Sequence, residues 1–160
     1  MDHKGSDELM QLVGFTIDSE LFGVDILMVQ EIIREMPFTP IPNSPDFIEG
    51  VINLRGNIIP VIDLRRRLNS KASKSPNSNI WILILNINKR VVGFVVDSVT
   101  KCLKVSREDI KPPPEIVISN LQSQYISGVC RVYKRLLILL DFNRILMVDE
   151  IKELRELDGK

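Results

Sequence analysis

Short runs of alternating apolar and polar residues, separated by Gly, Asn, Asp and Ser, make up most of this chain. Alternation over residues 13–28, with a polar triplet in the middle, predicts a β-hairpin. A second hairpin is predicted from 48–54 and 58–64, because Gly56 or Asn57 between them can take positive φ. The pattern as a whole is that of an all-β chain with tight turns.

Several segments depart from simple alternation. The run IWILILNI over 80–87 is continuously apolar, which predicts a strand buried on both faces. Prolines crowd residues 37–45 and predict an extended loop, while Pro60 inside a strand predicts an edge position or a bulge. The polar run over 69–79 predicts a linker, and apolar residues at helical spacing over 143–157 predict an amphipathic helix.

The two halves of the chain show the same elements in the same order. FIEGVINLRGNIIPVIDL from residue 47 and YISGVCRVYKRLLILLDF from residue 125 share matching positions at a constant offset of 78. Upstream, an offset of 70 relates Val13/Leu83, Phe15/Leu85, Ile17/Ile87, Gly23/Gly93 and Val29/Val99. Duplication of one small all-β unit explains both offsets. The alternative is that short apolar strands bounded by Gly and Asp look alike by composition.

Size and charge limit what such a chain can do. A unit of about 70 residues buries only about 60% of its surface, so the two units are expected to pack against each other. The 21 basic and 21 acidic residues leave no net charge to attract nucleic acid or an anionic membrane. No stretch approaches the ~18 apolar residues of a membrane span. Strands separated by turns, with a tandem unit, predict two small β-barrels or curled sheets.

Candidate catalytic groups are scarce. His3 is the only histidine, so the chain offers no Ser-His-Asp triad, Cys-His pair or histidine-containing metal site beyond the tail. Asp63 and Asp141 are repeat equivalents at strand ends and are interpreted as hydrogen-bonded turn residues rather than a catalytic pair. The basic triplet 65–67 is interpreted as a solvated face rather than a phosphate site. An enzyme is therefore not expected.

Two long motifs resemble the CheW family of bacterial chemotaxis coupling proteins. They are FGVDILMVQEI (22–32) and PIPNSPDFIEGVINLRGNIIPVIDLRRRL (40–68), and the most specific part is GVINLRGNIIPVIDL (50–64). The resemblance covers residues 12–146 and implies an all-β fold of two tandem SH3-like five-stranded β-barrels around a shared core, with short helices and a C-terminal helix. The expected organisation is a flexible tail over 1–11, a CheW-like domain over 12–148 with barrels at 12–68 and 80–142 joined by a linker at 69–79, and a C-terminal helix and tail over 143–160.

The resemblance also implies a function. Such a protein is a non-catalytic adaptor that couples the cytoplasmic tips of chemoreceptors to a CheA-type histidine kinase in chemotaxis signalling arrays. The expected partners are the receptor tip, the regulatory domain of the kinase and further copies of the chain in rings, with no nucleic acid, no membrane insertion and no cofactor. The expected location is cytoplasmic, recruited to membrane-anchored arrays.

Other functions stay open at this point. A CheW-like scaffold of a non-motility chemosensory pathway would share all of these features. A small-ligand-binding β-barrel belongs to a different class and would need a cavity lined by convergent polar groups. Because no receiver domain follows in the sequence, the fused CheV type of coupling protein is not expected.

The family's functional positions map onto named residues of this chain. The positions matching receptor-binding residues are Val29, Glu31, Gly50, Arg55, Trp81 and Ile82, the last two on a strand lining a groove on the second barrel. Ile116 matches an exposed apolar residue at a kinase or ring contact. The residues themselves add that Arg55 projects from a tight turn and that Val29 should share a strand face with Glu31. The second unit has VYKRL where the first has the LRGN turn, so it is not expected to repeat the receptor contact.

Overall fold

Ten short strands dominate the computed structural model, which describes residues 9–34, 36–45, 47–68, 80–113 and 123–146. The strands are β1 (Leu9–Ile17), β2 (Glu20–Asp25), β3 (Val29–Arg34), β4 (Ile48–Leu54), β5 (Asn57–Asp63), β6 (Trp81–Ile87), β7 (Arg90–Val96), β8 (Ser98–Ser106), β9 (Ile126–Val132) and β10 (Arg135–Leu140). Two short helices follow β5 and β10, namely α1 (Leu64–Leu68) and α2 (Phe142–Ile145). The all-β prediction is therefore confirmed.

Four hairpins connect neighbouring strands through two-residue turns in which both residues have positive φ. The turn residues are Asp18-Ser19, Arg55-Gly56, Asn88-Lys89 and Tyr133-Lys134. Such turns match the right-handed twist of the flanking strands. The positive φ predicted for Gly56 or Asn57 is found at Gly56 (90°), and the other turn residue is Arg55 (53°) rather than Asn57, because β5 already begins at residue 57.

The strands form two five-stranded sheets that do not follow the two halves of the chain. One sheet has the order β3-β6-β7-β5-β4 and is called the central barrel, because its strands are consecutive in sequence. The other has the order β8-β1-β2-β10-β9 and is called the terminal barrel. The predicted division into barrels at 12–68 and 80–142 is therefore wrong. The first hairpin, β1–β2, pairs with β8 and β10 across the chain, a long-range choice that local pattern does not encode.

The register of the strands confirms the duplication. Residue Val61 pairs with Gly93 in the parallel β5–β7 contact, and Leu139 pairs with Gly23 in the parallel β10–β2 contact. These two pairs are related by the offsets of 78 and 70 that the sequence shows. The bridge Thr39↔Val51 has a counterpart in Lys111↔Val129, in which Val129 follows Val51 at the offset of 78 and Lys111 follows Thr39 by 72 residues. Each barrel therefore combines strands from both repeats, which interlocks the two units.

Three apolar cores stabilise this arrangement. The largest lies between the barrels and contains Phe15, Phe22, Phe94 and Phe142, all 2% exposed or less. Each barrel also has a smaller interior core of its own. Strand β6 contributes to two of them, since Leu83 faces the shared core whereas its neighbours face the interior of the central barrel. The prediction that 80–87 is buried on both faces is confirmed.

Pro60 lies in a strand with neighbours on both sides, so of the two predicted alternatives the edge position is wrong, and the bulge of this hairpin lies at Glu49 on the partner strand, one pair beyond Pro60. It pairs with Val51 on β4, and the parallel pairing of β5 with β7 begins only at Val61. Val51 directs its own N–H and C=O to Thr39, at 2.9 and 2.8 Å. The missing N–H of Pro60 therefore leaves no backbone group of Val51 without a partner.

The ends of β5 and β10 turn into the short helices. Asp141 accepts hydrogen bonds from the backbone N–H groups of Asn143 and Arg144, at 3.1 and 3.3 Å, and so begins α2. This confirms the turn-forming interpretation for Asp141. The predicted linker at 69–79, Ile116 and the part of the predicted helix beyond residue 146 lie outside the described residues. Among those that are described, no helix is long and apolar enough to cross a membrane.

Candidate functional site

An ion pair between Glu31 and Arg55 marks the candidate site. The Nη1 atom of Arg55 donates to Glu31 Oε2 at 3.2 Å, and Nη2 donates to Oε1, so the two planar groups meet through two hydrogen bonds. The Arg55 side chain is 68% exposed and that of Glu31 28% exposed. A partner therefore has direct access to the guanidinium while its geometry is held by the carboxylate.

The ion pair joins the two edges of the central barrel. Glu31 lies on β3 and Arg55 on the β4–β5 turn, and β3 and β4 are the outermost strands of that sheet. The turn is fixed in part by Asn53, whose side-chain oxygen accepts from Gly56 N at 2.9 Å. Glu31 and Arg55, 24 positions apart in sequence, are thus brought together where the two edges of the curled sheet approach each other.

The same contact sets the ionisation of Glu31. The hydrogen bond from Arg55, which favours the carboxylate form, lowers the pKa of Glu31 below its ordinary value. Because the pKa is lowered, Glu31 stays charged across the neutral range, and the interaction is lost only as the pH falls through that depressed value. At neutral pH the site therefore presents one fixed negative and one fixed positive group.

Val29 lies close to Glu31 in sequence but on another face of the strand. The β3–β6 register shifts between Val29 and Glu31, so Gln30 is an inserted residue in a bulge. Val29 packs, half-buried, against the shared core, whereas Ile33, two residues after Glu31, packs on the interior of the central barrel. The expectation that Val29 and Glu31 share one face through regular alternation is therefore wrong.

Leu27 is an exposed apolar residue that the sequence analysis missed. It lies in the 3₁₀ turn Ile26–Met28 between β2 of the terminal barrel and β3 of the central barrel. Its side chain is 89% exposed, and its N–H is held at 2.9 Å by the carboxylate of Asp25. An isolated leucine displayed on a capped turn, two residues before Val29, is a suitable apolar anchor for a partner.

Trp81 lies on β6, the strand next to β3, and packs against the shared core. It pairs in register with Arg34, whose guanidinium carbon lies 4.7 Å from the centroid of the indole ring. This cation–π contact covers one face of a half-buried ring. Trp81 lies on β6 and hence in the same sheet as Glu31, so its predicted place on the second barrel is wrong.

Two of the predicted contact residues have structural roles instead. Ile82 is fully buried in the interior of the central barrel, so its side chain does not reach a partner. Gly50 is also buried, has a φ of 147° and faces the segment that forms the Thr39 bridge. A Cβ at Gly50 would lie 2.8 Å from the carbonyl carbon of Thr39. Glycine therefore allows this loop to approach β4 closely.

Arg67 is buried at the centre of the contact between the repeats, which corrects the solvated interpretation. Its Nε and Nη2 atoms donate to the Ile145 carbonyl at 3.1 and 2.8 Å. The guanidinium also lies over the rings of Phe47 and Tyr125, 4.9 and 4.7 Å from their centroids. Phe47 and Tyr125 are repeat equivalents, as are Arg67 and Ile145. One cation thus ties α1 of one repeat to α2 of the other.

Arg65, the first residue of the basic triplet, is also not solvated. Its side chain is 12% exposed, and its Nη2 atom lies 2.9 Å from Asp97 and 3.1 Å from Asp18. Asp97 in turn accepts from the backbone N–H of Asp18 at 2.8 Å. This network connects the β1–β2 turn of the terminal barrel to the end of β7 in the central barrel.

The terminal barrel does not repeat the ion pair. At the offsets of 70 and 78, Lys101 and Tyr133 stand where the central barrel has Glu31 and Arg55. A lysine and a tyrosine cannot form the same paired hydrogen bonds. Only the central barrel therefore presents this charged site. Within the described part of the chain, no group of three or more His, Cys, Asp or Glu residues is arranged to hold a metal ion.

Two interlocked SH3-like barrels with an exposed, hydrogen-bonded charge pair define a protein-binding scaffold. Residues 11–158 match the family model of the CheW-like domain. The chain is 42% identical to chemotaxis protein CheW of Klebsiella aerogenes over 86% of this chain and 81% of that protein. It is 35% identical to chemotaxis protein CheW of Treponema pallidum over 95% and 91% of the two chains. The chain therefore belongs to the CheW-like family.

A solved structure agrees with this assignment. The scaffolding protein TtCheW from Thermoanaerobacter tengcongensis superposes with a TM-score of 0.77 at 31% identity, covering 88% of this chain and 90% of that one. The predicted family, the two-barrel fold and the predicted role of a chemotaxis coupling adaptor are confirmed.

Proposed function

We propose that this chain links chemoreceptor signalling tips to a CheA-type histidine kinase and that the central barrel carries the receptor-binding surface. The Glu31–Arg55 pair is the observation that carries this assignment. It is exposed, geometrically fixed and present in only one of two otherwise equivalent barrels.

The surface around the pair suits a helical partner. A receptor tip is a helical hairpin, and a helix docks by burying an apolar stripe while charges set its register. Leu27 supplies apolar contact, and Glu31 and Arg55 supply the two charges, whereas Val29 packs half-buried on the shared core. Full burial of an exposed leucine contributes about 1.5–3 kcal/mol, a useful share of the roughly 8 kcal/mol that micromolar binding requires.

The kinase contact is assigned to a different part of the chain. Ile116 follows three consecutive prolines, which stiffen the segment that precedes it. A small apolar contact of this kind suits a ring that must form and dissociate. Separate surfaces for receptor and kinase are what an adaptor needs, because both partners must be bound at the same time.

Reconstitution on vesicles tests the adaptor role. Receptor cytoplasmic fragments are tethered to vesicles, purified CheA-type kinase is added, and co-sedimentation of the kinase is measured with and without this chain. The proposal predicts that the chain increases kinase recovery severalfold and that it sediments with the fragments by itself. Equal kinase recovery in its absence would refute the coupling role.

A matched pair of leucine variants tests the location of the receptor surface. Leu27→Ser should weaken binding to the receptor fragment about tenfold, which corresponds to the lower end of the leucine burial energy. Leu136→Ser alters a 38% exposed leucine on the terminal barrel and should leave receptor binding unchanged. If both variants bind alike, the assignment to the central barrel is wrong.

A further inference from the structure

The terminal barrel has a cleft at the place equivalent to the one where the Glu31–Arg55 ion pair joins the edges of the central barrel. It lies between the edge strands β8 and β9 and has a volume of about 270 Å³. Leu103, Val105 and Val132 supply apolar lining, and Lys104, Arg131 and Asp109 supply charged lining. Clefts that hold drug-sized ligands have roughly 300–1,000 Å³. This one therefore fits the side chains of one or two residues.

Basic residues are concentrated around this terminal cleft. Residues 98–109 and 126–135 contain six basic and two acidic residues, although the whole chain is neutral. The repeat-equivalent segments, 28–39 and 48–57, contain two basic and three acidic residues. Lys101, Lys104, Arg131 and Lys134 are exposed, and none forms an ion pair with the described part of the chain. The duplicated unit has therefore acquired a local positive field on one copy only.

The edge of β9 also offers backbone hydrogen bonds. Val129 directs its N–H and C=O away from β10 to Lys111, with both bonds at 2.8 Å. Because backbone direction alternates along a strand, Arg131 directs its own N–H and C=O to the same side. The isolated bridge on this edge involves Val129 and Lys111, and no described strand pairs with Arg131 there. In the register of this bridge Asp109 stands opposite Arg131 across the cleft and forms no bridge with it, so one extended residue that enters the cleft can pair with Arg131.

We propose that the terminal cleft binds an extended acidic segment of a partner protein by strand addition to β9. An apolar side chain of the segment enters the cleft against Leu103 and Val132. Flanking carboxylates pair with Lys104 and Arg131, and the backbone of the segment bonds with Arg131. This site is separate from the receptor surface, because it lies on the other barrel.

Geometry favours a peptide over other anions. A free phosphate would use the basic groups but leave the apolar lining and the edge backbone without partners. A membrane surface is flat, whereas these groups converge in a cleft whose walls also carry Asp109. A segment that alternates acidic and apolar residues satisfies all three features at once, because its side chains point alternately toward and away from the barrel.

Nuclear magnetic resonance with the intact chain tests the proposal. The probe is an end-blocked hexapeptide alternating valine and glutamate, added up to millimolar concentration to isotopically labelled protein. We expect saturable shifts confined to amides 103–106 and 129–133, which weaken as salt is raised. Arg131→Glu and, independently, Lys104→Glu should weaken binding about tenfold. Lys89→Glu, an identical charge change on a turn of the central barrel, should change it less than about twofold.

Four results would overturn the binding of an acidic peptide at this cleft. They are the absence of saturable shifts, an equal response to a valine–lysine peptide, an equal response to inorganic phosphate, and stronger perturbation of the same amides by phosphatidylserine vesicles. A peptide N-methylated on alternate residues should lose binding, and its retention would refute strand addition. Receptor-fragment binding by Arg131→Glu is measured in parallel and should be unchanged. Failure at the terminal cleft is thereby distinguished from failure of the receptor assignment.

Discussion

Replacing Arg67 by Met should destabilise the whole fold, because this one cation connects the two repeats. Its two hydrogen bonds to the buried Ile145 carbonyl would be lost, and that carbonyl would remain without these donors. Removing one partner of a buried polar contact costs about 1–3 kcal/mol, and each cation–π contact adds about 0.5–1 kcal/mol. Methionine keeps much of the apolar packing. The net loss is expected to be about 3 kcal/mol.

Thermal unfolding measures this loss directly. For a chain of this size each kcal/mol lowers Tm by about 2–4 °C, so Arg67→Met should melt about 6–12 °C lower. Arg144→Met is the control, because Arg144 lies on α2 with a 63% exposed side chain and should change stability by no more than about 0.5 kcal/mol. If Arg67→Met and Arg144→Met both have the Tm of the wild-type protein, the guanidinium of Arg67 does not tie the repeats together.

Three further predictions concern other parts of the chain. Gly50→Ala should destabilise the fold by about 2 kcal/mol or more, because a Cβ at Gly50 meets the Thr39 carbonyl. Gly56→Ala should destabilise it less, because a Cβ at Gly56 meets nothing within 4 Å. Denaturant titration of both variants checks which of the two loses more stability. The interlocked barrels should unfold in one calorimetric transition, and two separated transitions would contradict the shared core. Ile116→Ser should bind receptor fragments normally but assemble poorly with kinase, and normal array formation in extracts would remove Ile116 from the ring contact.

Much of the strand pattern could be predicted from the sequence, because hairpins depend on local features. Alternation and polar turn residues locate β4–β5 and the β1–β2 turn within a residue, whereas β1 begins four residues earlier than predicted. The partition into barrels could not be predicted in the same way. It depends on the parallel contacts of β2 with β10 and β5 with β7, which join segments far apart in the chain. Local propensity carries no information about such pairs.

The candidate site was predictable in part. Resemblance assigned Glu31 and Arg55 to one receptor-binding surface, and the structure joins the two side chains. The sequence already argued against Ile82 as a contact residue, because a strand that is apolar on both faces leaves few exposed side chains. Arg67 was missed because three consecutive arginines on one helical turn look alike, and only tertiary packing decides which one is buried. Leu27 carried no signal, since single exposed leucines are common.

The receptor assignment is tested most directly by reversing Arg55. Calorimetric titration of a receptor-tip fragment should show that Arg55→Glu binds at least about tenfold more weakly, through lost attraction and new repulsion, while its Tm barely changes. Lys134→Glu, the same charge change in the equivalent turn of the terminal barrel, should bind normally. A double exchange, Glu31→Arg with Arg55→Glu, re-forms the ion pair with reversed polarity and should still bind weakly. Restored binding in the double variant, or unchanged affinity with a lowered Tm in Arg55→Glu, would contradict the account and leave the pair a purely structural role.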